Sequence, residues 1–212
     1  MIFFPEISDE QNQHLLQHSK KTVYKKKSFI YEAGQTPKSV FWIESGLVGL
    51  TVFSEKGAEH LLRLFKKGEY FGHRSLLSQE NYHAHSTTIE ESVIFEISGE
   101  LFTQLLLENP ELAKSVMKKL SIELRMAEIA RVKVSEKDVI CRVADALVYL
   151  MEVYPEHSFT RQEISQFVGT TTPTAIRALG RLEENGLIFQ KGRKIEFRDR
   201  EKLLMLKKMD LE

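Results

Sequence analysis

Two arginines four positions apart, Arg177 and Arg181, stand just after a run of three threonines, Thr170, Thr171 and Thr172, with Thr174 between them. Lys191, Arg193 and Lys194 follow beyond a pair of glycines. A guanidinium is a planar fork of donors that can bond O6 and N7 of a guanine together. Threonine hydroxyls and the free N–H groups of a helix start suit phosphate oxygens. Cations near a nucleic-acid backbone fix register without reading bases. The group therefore fits binding to double-stranded DNA better than bond-breaking chemistry. No nucleophile elbow, P-loop, zincin motif or paired-carboxylate arrangement accompanies it, so no catalytic residue and no metal ligand set is assigned and an enzyme is not expected. The adjacent pairs Glu90-Glu91 and Glu183-Glu184 read as solvated surface.

These residues need elements to hold them. Thr160-Arg-Gln-Glu163 is a capping box ahead of Ile164 and Phe167-Val168. Gly169 can take the positive φ that ends this short helix. A second helix is expected to about Asn185, with Thr172 as N-cap, Pro173 as first residue and Gly186 as terminator. Two short helices joined by a tight glycine turn form a helix-turn-helix. Along the second, Ala175, Leu179 and Leu182 occupy one stripe and Thr174, Arg177 and Arg181 another, so one docks while the other faces outward. Leu187-Ile-Phe189 and Lys194-Ile-Glu-Phe197 flank a basic glycine turn, giving a hairpin wing. Lys191, Arg193 and Lys194 on that wing are expected on the flanking DNA backbone.

Further towards the N-terminus the pattern differs. A short helix is expected over about 7–20, capped by Ser8 or Asp9, with Lys25, Lys26 and Lys27 at a turn or strand edge. Short strands at 29–31, 40–43, 47–53, 60–65 and 92–97, separated by glycine turns, predict a small β-roll or sandwich. Leu101, Leu105 and Leu106 mark a short helix. A long helix starts at Asn109-Pro110 and runs to about Val134. Leu112, Val116, Leu120, Leu124 and Ala127 recur along it at three-to-four spacing, widened by Ile122, Met126, Ile129 and Ala130. A roll of this size cannot cover such a helix, so the apolar face is expected to meet a second copy of itself. Ser135 or Asp138 caps the next helix, which carries Val139, Val143, Leu147 and Leu150. The expected organisation is α+β: a roll over 1–108, a dimerisation helix over 109–134 and a winged helix-turn-helix over 135–212.

The composition fits this organisation. The chain has 212 residues, 42% hydrophobic and 28% charged, which excludes global disorder. Thirty Lys+Arg balance thirty Asp+Glu, so a surface for a polyanion must be a local patch. The single cysteine, Cys141, excludes an intramolecular disulfide, an all-cysteine zinc site and a four-cysteine iron–sulfur cluster within one chain. No apolar run is long enough to span a bilayer, and the start, Met1-Ile-Phe-Phe-Pro-Glu, lacks a secretory pattern. A cytoplasmic protein with no membrane partner is expected.

From about Phe29 to Phe197 the chain resembles the Crp/Fnr superfamily of bacterial transcription regulators. The stretch Phe159-Thr-Arg-Gln-Glu-Ile-Ser-Gln-Phe-Val-Gly169 carries the resemblance most specifically. Asp138-Val-Ile-Cys-Arg-Val-Ala144 looks like the family's hinge-to-helix junction, and Gly34, Gly46, Gly68 and Gly72 sit where its cyclic-nucleotide-binding roll has turn glycines. The resemblance implies a homodimer on a palindromic operator, with RNA polymerase as a partner if it activates. Two departures stand out. A glutamate is common four residues before the base-reading arginine, and here that position is Pro173. The phosphate-binding cassette has Gly-Glu near its start and Arg-Ser near its end, and those positions are Gly72-His73 and Tyr82-His83. Arg74 offers a charge one residue out of place, beside Ser75. Control by cAMP in the usual way is therefore not expected.

The effector stays open. His73, His83 and His85 lie in one segment with His60 on a nearby predicted strand, so haem or a metal is conceivable, although no tight metal motif is matched. Ordinary polar roll positions explain them as well, and control by expression level needs no ligand at all. A ligand- or haem-sensing signalling module, with DNA binding secondary, is the alternative; it accounts only for the first half of the chain.

Overall fold

The structure, a computed structural model, describes residues 2–206, with the backbone alone for Lys133 and Ser135. The elements run α1 (Asp9–His18), β1 (Lys20–Tyr24), β2 (Phe29–Tyr31), β3 (Ser39–Ser45), β4 (Leu47–Phe53), β5 (Glu59–Lys66), β6 (Tyr70–Phe71), α2 (His73–Ser78), β7 (His85–Thr88), β8 (Ser92–Ser98), α3 (Gly99–Glu108) and α4 (Pro110–Glu136). They continue as α5 (Val139–Val153), α6 (Arg161–Val168), α7 (Thr172–Glu184), β9 (Ile188–Lys191), β10 (Lys194–Phe197) and α8 (Arg200–Met205). Among the described residues two compact units result, one over 2–52 and 62–126, the other over 53–61 and 127–206.

The first unit is an N-terminal β-roll. Four strands pair in the order β1-β8-β3-β6 and four more as β2-β7-β4-β5. Successive side chains on a strand face opposite ways, and β3 shows the consequence. Phe41 and Ile43 join Val48, Leu50, Phe65, Phe71 and Ile94 in one core cluster. Val40 and Trp42 join Phe95, Ile97, Phe102, Leu105 and Leu112 in another. A strand buried on both sides has an apolar run in place of clean alternation, which is why Val40–Ile43 reads as continuous. Phe3 and Phe4 also enter the second cluster. Buried Asn12 pins them: its Oδ1 accepts from Phe3 N at 2.8 Å and Phe4 N at 3.2 Å, and its Nδ2 donates to Phe4 O at 3.0 Å. Ser8 caps α1 through a capping box with Gln11. At Gly46 (φ 96°) a Cβ would lie 2.6 Å from Glu91 O, so only glycine fits that turn.

The long helix corrects one expectation. Leu112 and Val116 are buried in the core of the roll, and Leu120 is half-buried against it. Leu112 and Val116 are therefore not on a face left for a second copy. Met117, Leu124 and Ala127 are exposed, as are Ile122, Met126, Ile129 and Val134. Periodicity identified an apolar helix, but the roll claims its N-terminal rows.

In the second unit Asp138 caps α5, its Oδ1 accepting from Cys141 N at 2.9 Å. The alternative cap, the Ser135 side chain, lies outside the described residues, and the Ser135 backbone is inside α4. Burial and the neighbouring Asp138 push the Cys141 thiol up to about 11, so it stays protonated. Helices α5, α6 and α7 pack around Leu147, Leu150, Ile164, Leu179 and Leu182, all nearly inaccessible, and β9 pairs antiparallel with β10.

Candidate nucleic-acid interface

The capping box forms as the sequence requires: Glu163 N donates to Thr160 Oγ1 at 3.1 Å and Thr160 N to Glu163 Oε2 at 2.8 Å. Gly169 then takes φ 73° and closes α6. The cap of α7 is Thr171, one residue earlier than expected, with its Oγ1 accepting from Thr174 N. Thr172 is displaced from that role because its hydroxyl pairs with Ser165 Oγ at 3.0 Å, a buried partner on α6. Pro173 is consequently the second residue of α7, still within the turn where a missing N–H costs little. The Thr170 N–H closes the α6 turn on Ser165 O at 3.0 Å. Thr170 and Thr172 thus serve the turn, and Thr171 and Thr174 present the open helix start.

On α7, Ala175, Ala178, Leu179 and Leu182 are buried, while Arg177 and Arg181 are exposed. Thr171 and Thr174 share a hydroxyl contact of 2.8 Å, and Arg177 Nη2 donates to Thr174 Oγ1 at 3.2 Å. The arginine head is thereby folded back over the helix N-terminus, where the helix dipole favours an anion. A base edge or phosphate can replace that single neutral contact at small cost. Ile176, half exposed on the same outer surface, was not singled out by its sequence. An exposed Ile within an otherwise well-sorted helix is the available signal, and such a side chain can meet a thymine methyl.

The wing is a two-residue hairpin: Lys191 pairs with Lys194 around Gly192-Arg193, and Gly192 adopts φ 60°. All three basic side chains are exposed. Lys194 is paired with Glu196 at 2.8 Å, an exposed pair that a phosphate can displace at little cost. Two further residues position this wing. Arg161, at the start of α6, donates to Gln190 Oε1 at 2.6 Å, Gly192 O at 3.1 Å and Arg193 O at 3.2 Å. Glu183 on α7 accepts from Gln190 N at 2.7 Å and Gln190 Nε2 at 3.0 Å. Glu183 is therefore no solvated surface group; it ties α7 to the wing. Both lie next to recognised features, in the capping box and the glutamate pair, but only tertiary pairing reveals their use.

The roll contains the second candidate site. Gly72 (φ 86°) starts α2, where a Cβ would come within 3.1 Å of Ser39 O and of the Phe41 ring. His73 and Ser75 are buried, and Tyr82 stacks on Tyr31 with ring centroids 3.6 Å apart. Burial pushes the Tyr82 phenol up to about 12 and lowers His73 to about 3, so both are neutral at pH 7. Arg74, Lys119 and Arg63 add to the pressure against a charge on His73. Of the three segment histidines, His73 and His83 border one small pocket and His85 stands elsewhere. His83 is exposed, and His85 accepts from Ala33 N at 3.4 Å and lies beside Phe29. Among the described residues no group of three or more His, Cys, Asp or Glu side chains could hold a metal ion. The small, partly open pocket bordered by Tyr31, His73, Arg74, Tyr82, His83 and Glu123 has about 20 Å³ of inner space. That is room for one water.

No helix among the described residues is long and apolar enough to cross a membrane. A family model described as a cyclic nucleotide-binding domain matches residues 21–109, and one described as a Crp-like helix-turn-helix domain matches residues 141–206. An uncharacterized protein of Haemophilus influenzae is 36% identical over 115 residues, 54% of this chain and 88% of its own length. The cAMP-activated global transcriptional regulator CRP of Pasteurella multocida is 28% identical over 196 residues, 88% of this chain and 94% of its own. Among solved structures, the c-di-GMP responsive global regulator CLP of Xanthomonas campestris shares the fold, with TM-score 0.78 at 21% identity, covering 90% of this chain and 99% of that one.

Proposed function

Because the chain belongs to the Crp/Fnr family of DNA-binding transcription regulators, we propose that two copies act together on a palindromic operator. Each copy sets α7 in a major groove, with half-sites about one helical turn (~34 Å) apart. The observation that carries this reading is Arg177, exposed on the N-terminal half of α7 beside the Thr171–Thr174 cap. Arg177 reads a base edge, with Thr174 and Arg181 supporting it and Ile176 adding an apolar contact. Thr171 lies along the phosphates, held there by the turn that Thr170 and Thr172 close on Ser165, and Lys191, Arg193 and Lys194 contact the flanking backbone. With Pro173 where the family commonly has a glutamate, the usual half-site does not apply.

The subunits meet along α4. Met117, Leu120, Leu124, Ala127, Arg131 and Val134 alternate at spacings of three and four, the pattern of a two-stranded helical seam. This row replaces Leu112 and Val116 in that role. The functional division is a roll over 1–108, a dimerisation helix over 109–134 and a DNA-binding part over 135–212. The roll does not take cAMP in the usual way: His73 stands where a ribose-binding carboxylate is expected, and Tyr82 fills space against Tyr31. No haem is assigned: His73 is buried beside Glu123, His83 is exposed and His85 lies beside Phe29. The protein works in the cytoplasm, and RNA polymerase is its partner where it activates.

Selection of bound duplexes from a random pool, with and without cell extract, tests this reading. A symmetric consensus is expected, whose affinity falls steeply with salt as counterions are released. Recovery of no consensus and no salt-dependent binding contradicts it.

A further inference from the structure

One carboxylate ties α4 to two elements of the roll. Glu123 on α4 is only 3% exposed. Arg63 of β5 places Nη1 2.9 Å from its Oε1, an ion pair outside hydrogen-bond geometry, and Arg74 of α2 donates Nε to its Oε2 at 2.8 Å. Lys119, one turn earlier on α4, donates to Tyr70 O at 2.9 Å and lies over the Tyr70 ring. His73 Nε2 is 4.0 Å from the same carboxylate, and neither His73 ring nitrogen has a hydrogen-bond partner among the described residues. Cations therefore outnumber the one buried anion. This is how a roll would receive an anionic ligand, yet the anion present belongs to the chain, and the space beside it admits one water.

We propose that Glu123 is the protein's built-in ligand, its carboxylate bridging Arg63 and Arg74 to hold α4 against the roll, so that the ligand-free protein is the DNA-binding form. An effector shifts a two-state equilibrium only by binding one state better than the other. A group carried on the chain is always present at high effective concentration, so its bias does not vary with the composition of the cell. An external anion would have to displace Glu123 and leave a buried carboxylate unpaired, which is strongly unfavourable. Helix α4 is continuous to Glu136, so the element clamped at Glu123 is the one that carries the subunit seam. The DNA-binding output rests on the regulator reading above; the clamp itself does not.

The test uses full-length protein refolded from denaturant, so that no small molecule is carried through. Operator binding is followed by fluorescence anisotropy, with Trp42 emission reporting an intact roll. Wild type is expected to bind without additives and to ignore millimolar cAMP, cGMP and c-di-GMP. Glu123→Ala is expected to lose roughly tenfold or more in operator affinity and to regain part of it in sodium acetate compared with sodium chloride at equal ionic strength. Glu123→Gln, which keeps the shape, should lose affinity without acetate rescue, and it carries the test if Glu123→Ala does not fold. A wild type that binds only after a nucleotide is added overturns the proposal. So do Glu123 variants that bind as wild type does. If wild type binds no duplex at all, the regulator reading fails. The clamp is then judged by sedimentation: Glu123→Gln must weaken self-association for it to stand.

Discussion

Lowering the pH should loosen the roll through a single side chain, His73. It is 1% exposed, neither ring nitrogen is hydrogen-bonded among the described residues, and its pKa is lowered to about 3 from an ordinary 6.5. Burial is the main cause, followed by Lys119, Arg74 and Arg63. The Glu123 carboxylate, 4.0 Å away, is already committed to two arginines and does not hold a proton on the ring. Because the folded pKa lies below the unfolded one, the unfolded chain binds the extra proton between the two values. Stability is then fully present above about pH 6.5 and is lost as pH falls towards 3, with a limiting slope of about 1.4 kcal/mol per pH unit. Between pH 7 and pH 5 this gives a loss of about 2 kcal/mol from His73 alone. The single tryptophan, Trp42, is buried in the roll and reports its urea unfolding separately from the second unit. His73→Gln should flatten the dependence by that amount over this interval, with Tyr70, Arg63, Arg74, Lys119 and Glu123 unchanged around it. Parallel pH profiles for wild type and variant would refute the assignment of a neutral, unpaired imidazole.

Other consequences separate the roles of neighbouring residues. Leu112→Ala should destabilise the roll by about 2–5 kcal/mol, whereas Leu124→Ala should leave Trp42-monitored unfolding of dilute protein nearly unchanged and raise the dimer dissociation constant in sedimentation. Arg161→Met removes three donors from the wing and should weaken binding to all operator variants about equally, by about 1–2 kcal/mol; a loss confined to one base pair would mean that Arg161 itself reads sequence. Gly180 has nothing within 4 Å of a Cβ position, so Gly180→Ala should stabilise α7 by about 0.5–1 kcal/mol in thermal unfolding. If the same change weakens DNA binding, the bare helix surface at Gly180 serves close approach to the duplex.

Local devices were legible in the sequence, and long-range choices were not. The Thr160–Glu163 box, Gly169, Gly186 and the wing turn depend on residues a few positions apart, and all formed as the residue types require. The cap of α7 slipped by one because adjacent threonines are equivalent locally; the Ser165 hydroxyl selects Thr172 and leaves Thr171 to cap. Spacing showed that α4 has apolar rows but not which row its own roll would take. Strand β6 and helix α2 are too short for periodicity to show. Glu123 left a trace, a charge seven residues after Val116 on the roll-facing row. Its partner Arg74 is 49 positions away, so the meaning of that charge appears only in three dimensions.

The central claim, that α7 reads DNA through Arg177, is tested most directly by measuring wild type and Arg177→Ala on the selected operator and on every single-base variant of one half-site. The account predicts a loss of about 1–3 kcal/mol on the best sequence, with discrimination collapsing at one base pair and kept elsewhere. Unchanged affinity with unchanged discrimination at every position would contradict it.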